Sequence, residues 1–382
     1  KEMIPLNVCL PASAGILFLI QSCYHLGLYR KLCLHSKKTK EETDTPPLSI
    51  ILVAKDAASD LQKNLPSILE QDYPNFEVIV IYEQSSEDNC EDVLKLLQEK
   101  YPNLYHSFIP NSARYISHKK LGITMGIKAS HHEWLVFTEP NCRPTRNQWL
   151  RKMARNFTSG TDIVLGYSNY ERAKGWFNRK ITFDTLLNSM RYLGQAISGN
   201  PYTGCGRNLA YRKSLFYKQK GFVSHLNLQR GEDDLFVNQT ANKRNTRVEA
   251  HPESVMRITA PHYSKNWKEE KLSYTMTSRY YKGFSRYLMG FETTTRLLFL
   301  TMVIACIVYG ILTQSWIVLG TSILLWLLRF IMLIVVFRKT SLALGERKFY
   351  TTLLLFDWMQ PIWNFRFKLS QRFSRKDDFM RR

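Results

Sequence analysis

The sequence predicts an α/β fold with a mostly parallel, doubly wound sheet, flanked by N-terminal and C-terminal transmembrane helices. Two observations predict it. Across residues 48–138, short apolar runs alternate with segments of helical periodicity, as the strand–helix units of a parallel sheet do. Outside that region, residues 3–29 and 297–328 contain no Asp, Glu, Lys or Arg. Each is long enough for the roughly 20 apolar residues that cross a hydrocarbon layer.

The first span is expected over residues 8–29, within an N-terminal membrane unit of residues 1–30. Arg30, Lys31, Lys37, Lys38 and Lys40 follow it, where a cleaved signal peptide would show a small-residue cleavage site. A cytosolic domain of residues 46–260 comes next. Residues 48–54, 76–82, 104–109 and 134–138 read as strands of buried-sheet type. Residues 60–71, 88–100 and 117–129 read as the helices between them, the first by Leu61, Leu65, Ile68 and Leu69. Ligands of such sheets lie beyond the carboxyl ends of the strands. Lys55-Asp56, Glu83-Gln84 and Glu139-Pro140-Asn141 are therefore the first places to look.

Residues 261–295 carry Tyr280, Tyr281, Phe284, Tyr287, Leu288 and Phe291 on helical faces. Interfacial helices and core packing both account for such stripes, as they do for Trp176, Phe177, Phe183 and Leu186 earlier in the chain. Residues 296–337 read as a transmembrane hairpin turning at Thr313-Gln314-Ser315. Arg329 falls inside its second helix, where a charge is costly; the nearness of Arg338 favours snorkelling. Residues 338–382 read as a basic interfacial segment. Its stretch 349–367 holds Asp357, Pro361 and Arg366, which suit a surface helix better than a fourth span.

With three spans, the basic segments 30–40 and 338–348 and the terminal Arg372, Arg375, Lys376, Arg381 and Arg382 all fall on one side. That side is the cytoplasmic one. The chain has 53 Lys and Arg against 32 Asp and Glu, a net charge of +21, much of which faces anionic membrane lipid on this reading. No basic–aromatic module of nucleic-acid type occurs, so nucleic acid is not an expected partner. Hydrophobic residues at 45% exclude a disordered chain. Seven scattered cysteines without a C-x-x-C pair argue against a disulfide framework or structural zinc, and suit a reducing compartment. The absence of G-x-G-x-x-G and of a P-loop disfavours a dehydrogenase or NTPase.

The strand ends carry a resemblance. Leu48-Ser-Ile-Ile-Leu-Val-Ala-Lys-Asp56, the Gln71-Asp-Tyr-Pro74 block, residues 117–129, Gly204-Cys-Gly-Arg-Asn208 and Gly231-Glu-Asp-Asp234 appear in order. Together, over about residues 46–290, they resemble the membrane-anchored bacterial branch of the family 2 glycosyltransferases, whose fold is the Rossmann-like GT-A. The resemblance implies transfer of a sugar from a nucleotide-sugar donor, a uridine one, to a lipid-linked or cell-envelope acceptor. It places the protein in the inner membrane of a bacterium, with the catalytic domain facing the cytoplasm.

It also implies roles for residues. The family's Asp-x-Asp, which holds a divalent cation (Mg2+ or Mn2+) against the diphosphate, is replaced here by Glu139-Pro140-Asn141. Glu139 and Asn141 are the expected metal ligands, with one charge fewer and one longer arm. Ala54, Asp56, Glu83, Lys120, Glu139 and Asn141 are the expected nucleotide-binding positions, Lys120 lying with Lys119 at a helix N-terminus suited to phosphate. Asp233 is the expected general base and Glu232 the residue that positions the acceptor. Gly204–Gly206 suits the floor of the acceptor site. The Gln-x-x-Arg-Trp block of processive relatives is missing, Glu270 and Ser273 standing near its place, so a single transfer is expected. The departures at Glu83, Glu139, Asn141 and Ser273 also fit a second reading, a degenerate non-enzymatic subunit working with a membrane-protein partner.

Overall fold

The computed structural model of the chain describes residues 6–36, 44–113, 115–261 and 264–373. Of the basic residues expected on the cytoplasmic side, Lys37, Lys38, Lys40, Arg375, Lys376, Arg381 and Arg382 lie outside the described residues.

The chain opens with α1 (Leu6–Ser22), a π-helical segment (Cys23–Tyr29) and α2 (Arg30–Ser36). Strands β1 (Leu48–Ala54), β2 (Phe76–Glu83), β3 (Leu104–Ile109) and β4 (Trp134–Phe137) then alternate with α3 (Ala58–Leu69), α4 (Cys90–Lys100) and α5 (His118–Ala129). There follow β5 (Cys142–Pro144), α6 (Trp149–Ala154), β6 (Ile163–Gly166), β7 (Ser168–Tyr170) and the long α7 (Trp176–Ile197). Next come β8 (Leu209–Arg212), α8 (Lys213–Lys218), α9 (Asp234–Thr240), β9 (Thr246–Glu249) and β10 (Met256–Ile258). The last helices are α10 (Ser264–Thr277), α11 (Ser285–Leu312), α12 (Trp316–Ala343) and α13 (Thr351–Phe373).

The main sheet has the order β3-β2-β1-β4-β8-β6-β9. β1 pairs in parallel with both β2 and β4, Ile51 lying opposite Ile79 on one side and Phe137 on the other. β8 alone runs antiparallel, against both β4 and β6. Strand order reverses at β1, so the crevice between the ends of β1 and β4 is the topological switch point at which such sheets take ligands. A second sheet, β5-β10-β7, fixes the chain just after β4: Thr259 N–H donates to the Asn141 carbonyl at 2.8 Å.

Three helical stretches are long and apolar enough to cross a membrane: Asn7–Ser36, Ser285–Leu312 and Trp316–Ala343. The hairpin turns where expected, at Thr313-Gln314-Ser315. Its first helix begins earlier than expected, because the amphipathic stretch from Ser285 runs on into the span without a break. α13 is amphipathic and is not among these three apolar stretches.

The sheet and the long apolar helices share one core. Phe183 of α7 stacks on Phe337 of α12 with ring centroids 5.3 Å apart, and also meets Phe349 and Phe356. Arg329 corrects one expectation. It does not snorkel; it is 2% exposed and its guanidinium pairs with Asp357 of α13 at 2.6 Å. Asp357 also meets Arg296 at 3.4 Å, and Arg296 donates to Gln360 at 2.5 Å. Burying such charges is tolerable only where they pair and bond in this way.

Candidate active site

The site lies where the strand ends of β1, β2 and β4 meet the loop before α9. A cleft of about 670 Å³ runs along it, lined by Lys55, Asp56, Glu83, His118, Lys119, Glu139 and Asn141 among others. Asp56 and Glu83 are thus placed together as expected. Glu83 meets Lys55 at 3.3 Å and His118 at 3.1 Å. Asp56 has a left-handed backbone (φ 46°), a conformation Asp tolerates, and its carboxylate accepts from the Glu87 N–H at 2.9 Å. Ala54 is buried in the core below the cleft and does not line it.

Lys120 is a correction. Its ammonium turns away from the cleft and donates to the carbonyls of His225 (2.6 Å) and Leu228 (2.7 Å), tying α5 to the loop that leads to α9. The neighbouring Lys119 takes the expected place. It bonds Glu139 at 2.6 Å and Glu232 at 2.9 Å, bridging the end of β4 to the acidic block.

Glu139 is held on both oxygens. Lys119 occupies Oε1, and the Arg207 guanidinium donates to Oε2 at 2.8 Å. Burial alone would raise the Glu139 carboxyl, but these two cations outweigh it and hold the group well below the usual carboxylate range. Arg207 in turn forks onto Glu270 of α10 with bonds of 2.7 and 2.9 Å. The Asn141 side-chain oxygen meets the Cys142 thiol at 3.3 Å. This donor set does not fit the expected cation site. Both Glu139 oxygens already serve cations, Asn141 adds no charge, and no group of three His, Cys, Asp or Glu suited to a metal occurs among the described residues.

The acidic block is intact. Gly231 has a left-handed backbone (φ 108°), which turns the chain so that Glu232 and Asp233 enter a second cavity of about 330 Å³. Lys119, Glu139, Arg207, Arg230, Glu270 and Tyr274 share that cavity with them. Asp233 accepts from the Gly206 N–H and the Tyr274 hydroxyl, each at 2.8 Å, and from the Asp234 N–H at 2.7 Å. A Cβ at Gly206 would stand 3.4 Å from the carboxylate, in ordinary contact with it. Burial, and then the charge of Glu232, push the Asp233 carboxyl above its ordinary range. Burial also raises Glu232, but Lys119 and Arg230 outweigh it and keep that carboxyl low. One Glu232 oxygen, Oε2, is buried with no hydrogen-bond partner.

Asp234 serves the fold rather than the cavity's chemistry. It accepts from Tyr281 at 2.7 Å and from Thr277, and burial followed by the Asp233 charge lifts it to about 7. A carboxyl raised on folding gives stability that is fully present below its unfolded pKa near 4 and is lost as pH rises toward about 7. Asp234→Asn removes this loss. The melting temperature of the variant relative to wild type is therefore expected to climb between about pH 4 and 7 and then level off. Scanning fluorimetry in detergent across that range checks it, and a flat difference would refute it.

A third pocket of about 360 Å³ adjoins the second, sharing Arg207, Glu270 and Tyr274 with it. Gly204 and Cys205 line it, and so do Met289, Gly290 and Thr293 of α11. Lys119, Arg207, Tyr274 and Arg230 complete the site. Lys119 stands next to Lys120 at the start of α5, and sequence alone does not separate the two. Arg207 stands inside the Gly204–Asn208 block, whose glycines are its plainer signal. Nothing in the pattern marks Tyr274 or Arg230.

The sequence model of glycosyl transferase family 21 matches residues 14–370. The chain belongs to glycosyl transferase family 21. It is therefore a glycosyltransferase, and the GT-A kinship expected from its strand ends stands at that level. Among solved structures, the family 21 chain is similar to the mannosyltransferase PcManGT of Pyrobaculum calidifontis, in complex with GDP-Man and Mn2+. The TM-score is 0.55 and the identity 16%, over 93% of this chain and 99% of that one. A second likeness is to residues 1–349 of S. aureus TarS, with a TM-score of 0.43 and 16% identity, over 86% and 92% of the two chains. At such identities the first likeness speaks for the fold. No curated protein sequence matches the chain.

Proposed function

We propose that this family 21 chain is a membrane-anchored, inverting, non-processive glycosyltransferase. It moves one sugar from a nucleotide donor, a uridine one, to a lipid-linked or cell-envelope acceptor at the cytoplasmic face of a bacterial inner membrane. One observation carries the reading: the three adjoining cavities lead from the rim of the sheet to the first turns of a span, with Asp233 in the middle. The donor's nucleotide lies in the cleft beside Asp56 and Glu83, and its diphosphate reaches Lys119 and Arg230. The acceptor enters from the pocket beside α11.

The chemistry follows from the charges. Asp233, its carboxyl raised above the ordinary range by burial and the Glu232 charge, takes the proton of the acceptor hydroxyl as its oxygen bonds the anomeric carbon and the bond to the diphosphate breaks. Glu232 Oε2, buried without a partner, is free to accept a hydrogen bond from the acceptor. Lys119, Arg207 and Arg230 offset the negative charge that gathers on the leaving group. No step is assigned to a metal, because the Glu139 and Asn141 pair does not fit one.

The test is transfer by purified protein in nanodiscs, with radiolabelled UDP-sugars and a membrane lipid extract. A single glycolipid product is expected, with no ladder of longer ones, and its formation is expected to persist in excess EDTA. Loss in EDTA with recovery in Mn2+ would show that Glu139 leaves its cations for a metal. Absence of any nucleotide binding at millimolar concentration would overturn the donor reading.

A further inference from the structure

Beside the third cavity, with which it shares Trp267 and Phe367, a pocket of about 430 Å³ opens where α7, α10 and α13 meet. Lys180, Trp267, Lys268, Trp363, Arg366 and Phe367 line it. The three cations have no acidic partner within ion-pairing distance among the described residues. Instead the Lys180 ammonium lies over two indole rings, 4.4 Å from the centroid of Trp363 and 4.9 Å from that of Trp267. The nearest acid along α7, Asp184, is already taken by Lys271 and accepts from Asn188 and Gln360. Trp267 and Trp363 are 3% and 6% exposed, and both indole N–H groups are buried without a hydrogen-bond partner. Three cations without an acid, gathered at one open pocket, call for an oxygen-rich anion.

We propose that this pocket binds a phosphate, the headgroup phosphate of an anionic membrane lipid. The Lys180 ammonium supplies donors, held over the faces of Trp363 and Trp267, while Lys268 and Arg366 supply charge at the rim. The lipid source follows from α13. Leu355, Ile362, Phe365 and Leu369 stand exposed along it, giving the helix that walls the pocket an apolar stripe with no protein cover among the described residues. A helix of this kind lies in the plane of a bilayer surface, at the depth of the headgroups. The pocket also reaches the catalytic machinery. Trp267 stands on α10 one turn before Glu270 and two turns before Tyr274, the partners of Arg207 and Asp233. A headgroup in the pocket steadies that helix.

The experiment uses the full-length protein in nanodiscs of phosphatidylcholine, with or without phosphatidylglycerol brominated on its chains. Tryptophan quenching and native mass spectrometry of retained lipid are the readouts. Wild type is expected to hold phosphatidylglycerol over phosphatidylcholine. Lys180→Gln and Arg366→Gln are each expected to weaken that hold roughly fivefold. Equal retention of the two lipids, or variants that match wild type while melting normally, would overturn the site. Competition by glycerol 3-phosphate without preference for phosphatidylglycerol would uphold the phosphate and overturn the lipid as its source. Stimulation of transfer by phosphatidylglycerol rests on the proposed activity, but lipid retention does not, so the two can fail separately.

Discussion

Asp233→Asn is expected to fold and bind donor as wild type does, and to lose about 10²–10⁴ of its transfer rate. The amide keeps the shape and can still accept from the Gly206 N–H and the Tyr274 hydroxyl. It cannot take a proton at neutral pH. The comparison must be made in kcat, because KM reports binding that the substitution leaves alone. Wild type should show an acidic limb in its rate profile. The base must be ionised, its carboxyl sits above the ordinary range, and activity therefore falls as pH drops through that raised value. In the variant the limb should vanish with the rate. Equal rates in the two proteins would remove Asp233 from the chemistry.

The second large effect lies in the membrane half. Asp357→Leu leaves Arg329 buried without its carboxylate and Arg296 with Glu292 alone, and the expected loss is about 3–5 kcal/mol of stability. Against a total of about 5–15 kcal/mol for a folded protein, that suffices to abolish accumulation in the membrane. Yield after membrane extraction and the melting temperature in detergent are the measurements. Adding Arg329→Met to the same chain is expected to restore part of the loss, because removing both charges costs less than stranding one. A single variant as stable as wild type would show that water reaches this cluster.

The sheet was legible because of where it sits. β1, β2 and β4 are buried on both faces, so they appear as unbroken apolar runs, and α3, α4 and α5 carry one apolar stripe each. The strands β5, β7 and β10 have three residues apiece, too few for any period to register. The acidic block was equally plain, being contiguous in sequence. Lys119 and Lys120 were not separable, since one residue along a helix turns the side chain by about 100°, and only the packing of α5 decides which one faces the cleft. Arg207 with Glu270, and Arg329 with Asp357, join residues 63 and 28 positions apart, at distances no local pattern encodes.

Arg191 of α7 is one more long-range contact, reaching from the catalytic domain to Glu292 of α11 at 2.5 Å, beside the Tyr29 hydroxyl. A soluble fragment trimmed to residues 46–260 would carry that guanidinium off without its counterion, and would bare Phe183 to solvent. The long apolar helices are thus a wall of the enzyme. Crystallisation or screening efforts that discard it would be working on a different molecule.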